Sequence, residues 1–289
     1  MLFAPDGRVR LGWRLLLFVA TTVAVAGATG VLLPGGLLAG SVALLVGAVA
    51  AGVLVLALDG RSAGALGFYL GRRAFAESAL GLGLGTGVAG TVVAVIAGLG
   101  ALRWTSQGGS AAGWLVGSVS ALAFLALPAA AEEALLRGYP LQALAEAWGP
   151  WSALLITSGV FGLIHLWNPG VTAIGTLNVT AAGLFLGIVY LRTGSLWWAT
   201  GAHLGWNWAH GYLADVPVSG LELLDAPLYE GITRGPAWLG GGEFGPEGSL
   251  VATAVVAGAS AVCWRAGWLA PSEAARAARP LALAEARAA

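Results

Sequence analysis

Eight stretches of mostly apolar residues restrict what this chain can fold into more than any other feature. They run over 11–33, 38–58, 79–101, 112–136, 152–168, 171–191, 195–213 and 249–269. A helix needs roughly 20 apolar residues to cross the hydrocarbon of a bilayer. Backbone N–H and C=O groups in lipid must be satisfied within the segment, which a helix does. The predicted fold is therefore all-α, a polytopic transmembrane helical bundle of about eight spans. Turn and charged residues separate the stretches, among them Pro34-Gly35-Gly36, Asp59-Gly60-Arg61, Gly149-Pro150 and Asn168-Pro169-Gly170. Only 10% of the 289 residues are charged, against about 25% in a soluble domain. So little charge cannot cover a water-facing surface.

Arginine placement orients the spans. Cytoplasmic flanks are enriched in basic residues. With the N-terminus inside, Arg8, Arg10, Arg14, Arg61, Arg72, Arg73, Arg137, Arg192, Arg265, Arg276, Arg279 and Arg287 fall on the cytoplasmic side, and only Arg103 and Arg234 outside. Both termini are then cytoplasmic, and the acidic segment 214–248 is external. Every basic residue is Arg, and Ala and Gly are abundant, as in a GC-rich bacterial source; the predicted location is a bacterial inner membrane. The N-terminal stretch reads as the first span rather than a cleaved signal peptide. The tail 271–289 reads as a short amphipathic helix. Zero net charge points to no nucleic-acid partner. The single Cys263 excludes an internal disulfide and reads as a small apolar residue on a helix. Three regions follow: 1–111, N-terminal transmembrane helices; 112–213, a core carrying the polar residues; and 214–289, an outer Gly-rich loop, a last span and a tail.

Residues 85–90 read Gly-Thr-Gly-Val-Ala-Gly, formally the G-x-G-x-x-G of dinucleotide sites. Such a site needs a preceding strand and an acid about 20 positions on. Here the stretch lies in a span, so Gly81, Gly83, Gly85, Gly87 and Gly90 read as helix-packing positions.

The fourth span ends in Glu132-Glu133-Ala-Leu-Leu-Arg137. An acid or Arg at membrane depth costs about 2.5–3.5 kcal/mol, so three within six residues need a reason. At about 100° per residue, Glu133 and Arg137 are one turn apart and can pair. Glu132 points elsewhere and is free to take a proton, as a general base must. The next span ends in Phe161-Gly-Leu-Ile-His165. Gly149-Pro150 lies almost midway between Glu132 and His165, so an antiparallel hairpin, bent at Pro140, would set the two at similar depth. Phe161 shares a helical face with His165. In the seventh span His203 and Asn207 share another face. Two neutral donors on one face can stabilise an oxyanion, and His203, eight residues past Ser195, falls in the cytoplasmic half. His210 reads as interfacial or structural, and the tryptophans at 197, 198, 206 and 208 chiefly as an interface belt and packing. Each polar residue has a structural reading when taken alone. Three apolar helices that each present such groups point to a functional site.

Glu132-Glu133 with Arg137, Phe161 with His165, and His203 with Asn207 resemble, in order, the E-E-x-x-x-R, F-x-x-x-H and H-x-x-x-N signatures of the type II CAAX prenyl protease and bacteriocin-processing family of intramembrane peptidases. The resemblance covers about 112–213, with Leu136 standing where many members have Phe. Gly240–Gly248 is similar to a glycine-rich loop of some bacterial members. The resemblance implies an intramembrane endopeptidase acting on a membrane-associated or secreted peptide. In it Glu132 and His165 activate water, Glu133 and Arg137 hold the site together, and His203 and Asn207 stabilise the oxyanion. Glu132, His165 and His203 are also a zinc-ligand set with an open position. H-E-x-x-H is absent, and ligand types alone leave zinc-assisted and metal-free routes both open. Two rival readings remain: a non-enzymatic membrane immunity or scaffold protein, and a transporter using Glu132 and His165 as a proton relay.

Overall fold

A computed structural model describes residue 3, residues 7–278 and residue 280. Arg279, Arg287 and most of the tail 271–289 lie outside the described residues. Helices α1 (Leu11–Leu32) and α2 (Leu37–Leu58) form a hairpin over Pro34-Gly35-Gly36. Helix α3 (Arg72–Gly98) leads to strand β1 (Leu102–Ser106). Helix α4 (Ala111–Glu133) continues through a π-helical turn, Ala134–Gly138, into α5 (Tyr139–Trp148). Helices α6 (Pro150–Ile164) and α7 (Ala173–Thr193) form a second hairpin. Helix α8 (Leu196–Trp208) ends in another π-turn, Ala209–Leu213. A long loop carries strand β2 (Tyr229–Thr233) and the single-turn helix α9 (Ala237–Gly240), and α10 (Leu250–Arg265) and the short α11 (Glu273–Ala278) complete the described chain.

Among the described residues five helical segments are long and apolar enough to cross a membrane: α1, α2, α3, α4–α5 and α7. Helices α6 and α10 are apolar but shorter. The chain is a multi-pass membrane protein, and its outer surface fits lipid. Leu16, Val19 and Val23 on α1, and Leu115, Val116 and Val119 on α4, are each more than half exposed. Contiguous apolar surface of that kind is what a soluble monomer avoids.

One addition to the all-α expectation is a two-stranded antiparallel sheet. β1 pairs with β2 from Leu102↔Thr233 to Ser106↔Tyr229, and Trp104 Nε1 donates to Ala214 O at 2.9 Å. The strands are too short to stand out in a chain read for spans. Beside them Asp215 accepts from Ala226 N at 2.9 Å. Burial, with Asp225, Glu230 and Glu222 adding repulsion, pushes its carboxyl up to about 6. A raised acid stabilises the fold below its unfolded value, and that contribution is lost as pH rises through about 6. Asp215→Asn keeps the accepting oxygen, so it is expected to raise stability by about 1 kcal/mol at pH 8, after discount for solvent screening, and to change nothing at pH 4. Melting curves at the two pH values read the difference.

The glycines of α3 divide into two sets. A Cβ on Gly81 would come within 2.4 Å of Trp198 O, and one on Gly85 within 1.8 Å of Ala202 O. These two let α3 lie directly on α8, the helix that carries His203. Gly83, Gly87 and Gly90 have nothing within 4 Å, so only part of the stripe predicted for packing packs. A larger residue forced into a close contact typically costs about 1–3 kcal/mol. Gly85→Ala is expected to lower the melting temperature, and Gly87→Ala to hold or raise it through helix propensity; equal melting of both would contradict this packing.

Candidate active site

The π-turn at Ala134–Gly138 sets the geometry of the acidic motif. Pro140 has no N–H to donate, and its ring crowds the carbonyl four residues back. The helix therefore opens in the turn before Pro140 rather than bending at it, and Arg137 lies within that wider turn. Arg137 is fully buried. Its two terminal nitrogens donate to Glu133 Oε1 at 3.0 Å and to Gly183 O on α7 at 3.0 Å. The guanidinium lies over the Phe161 ring, 4.6 Å from its centre. Glu133, also fully buried, is thus paired as its spacing predicts.

Glu133 has a second partner that spacing could not reveal. His203 Nδ1 lies 2.9 Å from the same Oε1. The imidazole is thereby oriented by a carboxylate, and the reading of His203 and Asn207 as two independent neutral donors needs correction. With Nδ1–H given to Glu133, Nε2 is a bare acceptor in the neutral ring and a donor only in the imidazolium. Nε2 faces Glu132, 3.8 Å from its Oε2. Glu132 itself accepts no hydrogen bond among the described residues, and its Oε2 has no hydrogen-bond partner.

His165 is not inside a helix, as the span 152–168 implied. It is the C-cap of α6. That helix has 15 residues, about 22 Å at 1.5 Å per residue, shorter than α1, α2, α3 and α7. His165 Nδ1 donates to Phe161 O at 2.7 Å. A carbonyl can only accept, so Nδ1 carries a proton and Nε2 is the free nitrogen of the neutral ring. Phe161 packs against His165 and His203, with ring centres 4.6 and 5.8 Å apart.

Glu132, His165, His203 and Asn207 line one cavity of about 90 Å³, room enough for water. Its other polar walls are Asn168, Ser219, Trp206 and Glu247, and its apolar walls include Leu125, Pro128, Val179, Phe185, Val218, Leu221 and Leu223. The cavity opens at the end of the bundle that holds the α1–α2 turn, the α6–α7 turn and the loop 214–248, since Leu37, Asn168 and Ser219 line it. Asn168, Ser219 and Glu247 escaped the sequence reading because they lie outside the helical motifs. The one available signal was an acid, Glu247, following Gly245-Pro246 at the close of a Gly-rich run. Trp206 is buried and donates to Glu247, so within the tryptophan cluster it takes the packing role. His210 is fully buried and packs edge-on against Trp206.

Among the described residues no three His, Cys, Asp or Glu side chains are grouped to hold a metal ion. In the protein, Glu133 holds the Nδ1 of His203 and Phe161 O holds that of His165. No curated protein and no solved structure matches the chain. A family model described as type II CAAX prenyl endopeptidase, Rce1-like, matches residues 112–209, the stretch from the start of α4 to the end of α8 that supplies every residue of the three motifs. Over residues 112–209, the stretch that carries its polar core, the chain is thus similar to the Rce1-like family of type II CAAX prenyl endopeptidases.

Proposed function

We propose that the chain is an intramembrane endopeptidase that hydrolyses a peptide bond with water activated at Glu132. The observation that carries this reading is the contrast between two adjacent carboxylates. Glu133 is fully buried and held through Oε1 by both Arg137 and His203, though its Oε2 has no partner among the described residues, whereas Glu132 lines the cavity and makes no hydrogen bond to them through either oxygen. A general base must reach its water and be free to accept the proton.

In the proposed sequence a water in the cavity donates one hydrogen bond to Glu132 and another to His165 Nε2. Glu132 takes a proton as the water oxygen bonds to the scissile carbonyl carbon. Negative charge gathers on the carbonyl oxygen, and the Asn207 amide and the imidazolium Nε2–H of His203 receive it. Glu133 stabilises that imidazolium through Nδ1. Glu132 then gives its proton to the leaving nitrogen as the C–N bond breaks. Arg137 and Phe161 hold Glu133 and both imidazoles in place. No step passes through a metal.

The substrate is a peptide presented at the membrane. With the N-terminus cytoplasmic, alternating spans put both termini inside a bacterial inner membrane and open the cavity to the outer side. Comparative proteomics of membranes and medium from cells with the wild-type or Glu132→Gln protein tests the reading. New N-termini that appear only with the wild type are expected. Identical peptide sets would overturn the peptidase reading. Full rescue of a cellular phenotype by Glu132→Gln would favour a non-enzymatic role.

A further inference from the structure

Glu247 lines the same cavity, yet none of the three motifs contains it. It lies in the short 3₁₀ turn Pro246–Gly248 and is only 5% exposed. Trp206 Nε1 of α8 donates to its Oε1. Ser219 donates to Oε2 twice, through its backbone N–H and through Oγ at 2.7 Å. The backbone carbonyl of Glu247 accepts from Asn178 Nδ2 of α7 at 2.7 Å. One residue therefore joins α7, α8 and the turn Val218–Leu221, which closes on itself through a bridge between its ends. The turn is also tied to the α6 end, where Asn168 Nδ2 donates to Ser219 O at 2.9 Å. Gly245 makes the close approach feasible. It has φ +82°, and a Cβ there would meet Pro217 O at 2.2 Å.

We infer that Glu247 is a positioning residue that fastens the outer loop onto α8, so that Val218, Leu221 and Leu223 form the apolar wall against which the substrate lies. With three donors on its two oxygens, Glu247 is a fastening rather than a second base. It acts through Trp206, which lies between His203 and Asn207 on the same helix. This inference rests on the peptidase reading only for its kinetic consequence.

A carboxylate is required here because its partners are all donors. The amide of Glu247→Gln has one accepting oxygen and one NH₂. The NH₂ must face either the Trp206 indole N–H or the Ser219 backbone N–H, and neither can turn away. Trp206→Phe removes one of those donors, so the paired change lets the Gln oxygen face Ser219.

The test uses the full-length protein with Leu223→Cys as a reporter and Cys263→Ser to remove the native thiol. Its readout is the rate of labelling by a membrane-impermeant maleimide. Glu247→Gln is expected to raise the rate about tenfold, the factor that corresponds to about 1.4 kcal/mol. Trp206→Phe with Glu247→Gln is expected to label no faster than Trp206→Phe alone. On a peptide that the proteomic comparison identifies as cleaved, Glu247→Gln should raise KM about tenfold and change kcat by less than about threefold. Unchanged labelling would overturn the inference, as would an unchanged KM with a fallen kcat. If labelling responds as expected while no peptide is cleaved by the wild type, the fastening stands and the peptidase reading falls.

Discussion

Glu132→Gln is expected to lower the rate of peptide cleavage by about 10³-fold, within the range that a positioned general base supplies, without lowering the melting temperature or membrane yield. The two halves of this result have separate causes. Glutamine cannot take a proton from water at any working pH, so the chemical step is lost. Glu132 accepts no hydrogen bond among the described residues and stands 3.8 Å from His203 Nε2, so its exchange for a near-isosteric amide strands no partner. Measured kcat on an identified peptide, beside a thermal melt of the same preparation, separates the two. Cleavage within tenfold of wild type would remove Glu132 from the proposed chemistry.

Arg137→Ala should behave in the opposite way, with loss of stability first and of activity as its consequence. The change removes bonds to Glu133 and to Gly183 O and the cation over Phe161. It leaves a fully buried carboxylate with His203 alone. Breaking a buried pair by removing one partner costs about 3–5 kcal/mol. Low yield and a depressed melting temperature are therefore expected. Replacing both partners by apolar residues of similar size is often neutral, so Glu133→Leu with Arg137→Met should recover much of the lost stability. That double variant should still fail to cleave, because His203 Nδ1 has lost the carboxylate that orients it. A single Arg137→Ala protein that melts like the wild type would contradict the buried pair.

The two carboxylates show how far spacing alone could reach. One residue of difference on a helix rotates a side chain by about 100°, and that sufficed to pair Glu133 with Arg137 and to leave Glu132 apart. It could not show that Glu133 also orients His203, since these residues are 70 positions apart and meet only because α4 and α8 pack together. The bend was placed at Pro140, but a missing N–H disturbs the turn before it, so the irregular turn holds Arg137. His165 was assigned to a helix interior because apolar residues continue to Trp167. The structure instead ends α6 at Ile164, with His165 as its C-cap, and ties the α6–α7 turn to the loop 214–248 through Asn168 Nδ2, which donates to Ser219 O.

The sequence by itself determined that the chain is a bundle of membrane helices, since a composition so poor in charge can satisfy its backbone in lipid only by helical hydrogen bonds within each segment. It also determined which polar residues are costly enough to need a reason. Only the tertiary structure decided that Glu132, His165, His203 and Asn207 share one cavity, that Glu133 wires His203, and that Glu247 closes the wall from a loop. Hydropathy and helical period are properties of neighbouring residues and survive in one dimension. Contacts between α4, α6, α8 and the outer loop depend on how whole helices pack, on two glycines that let α3 lie directly against α8, and on a loop that has no period to read.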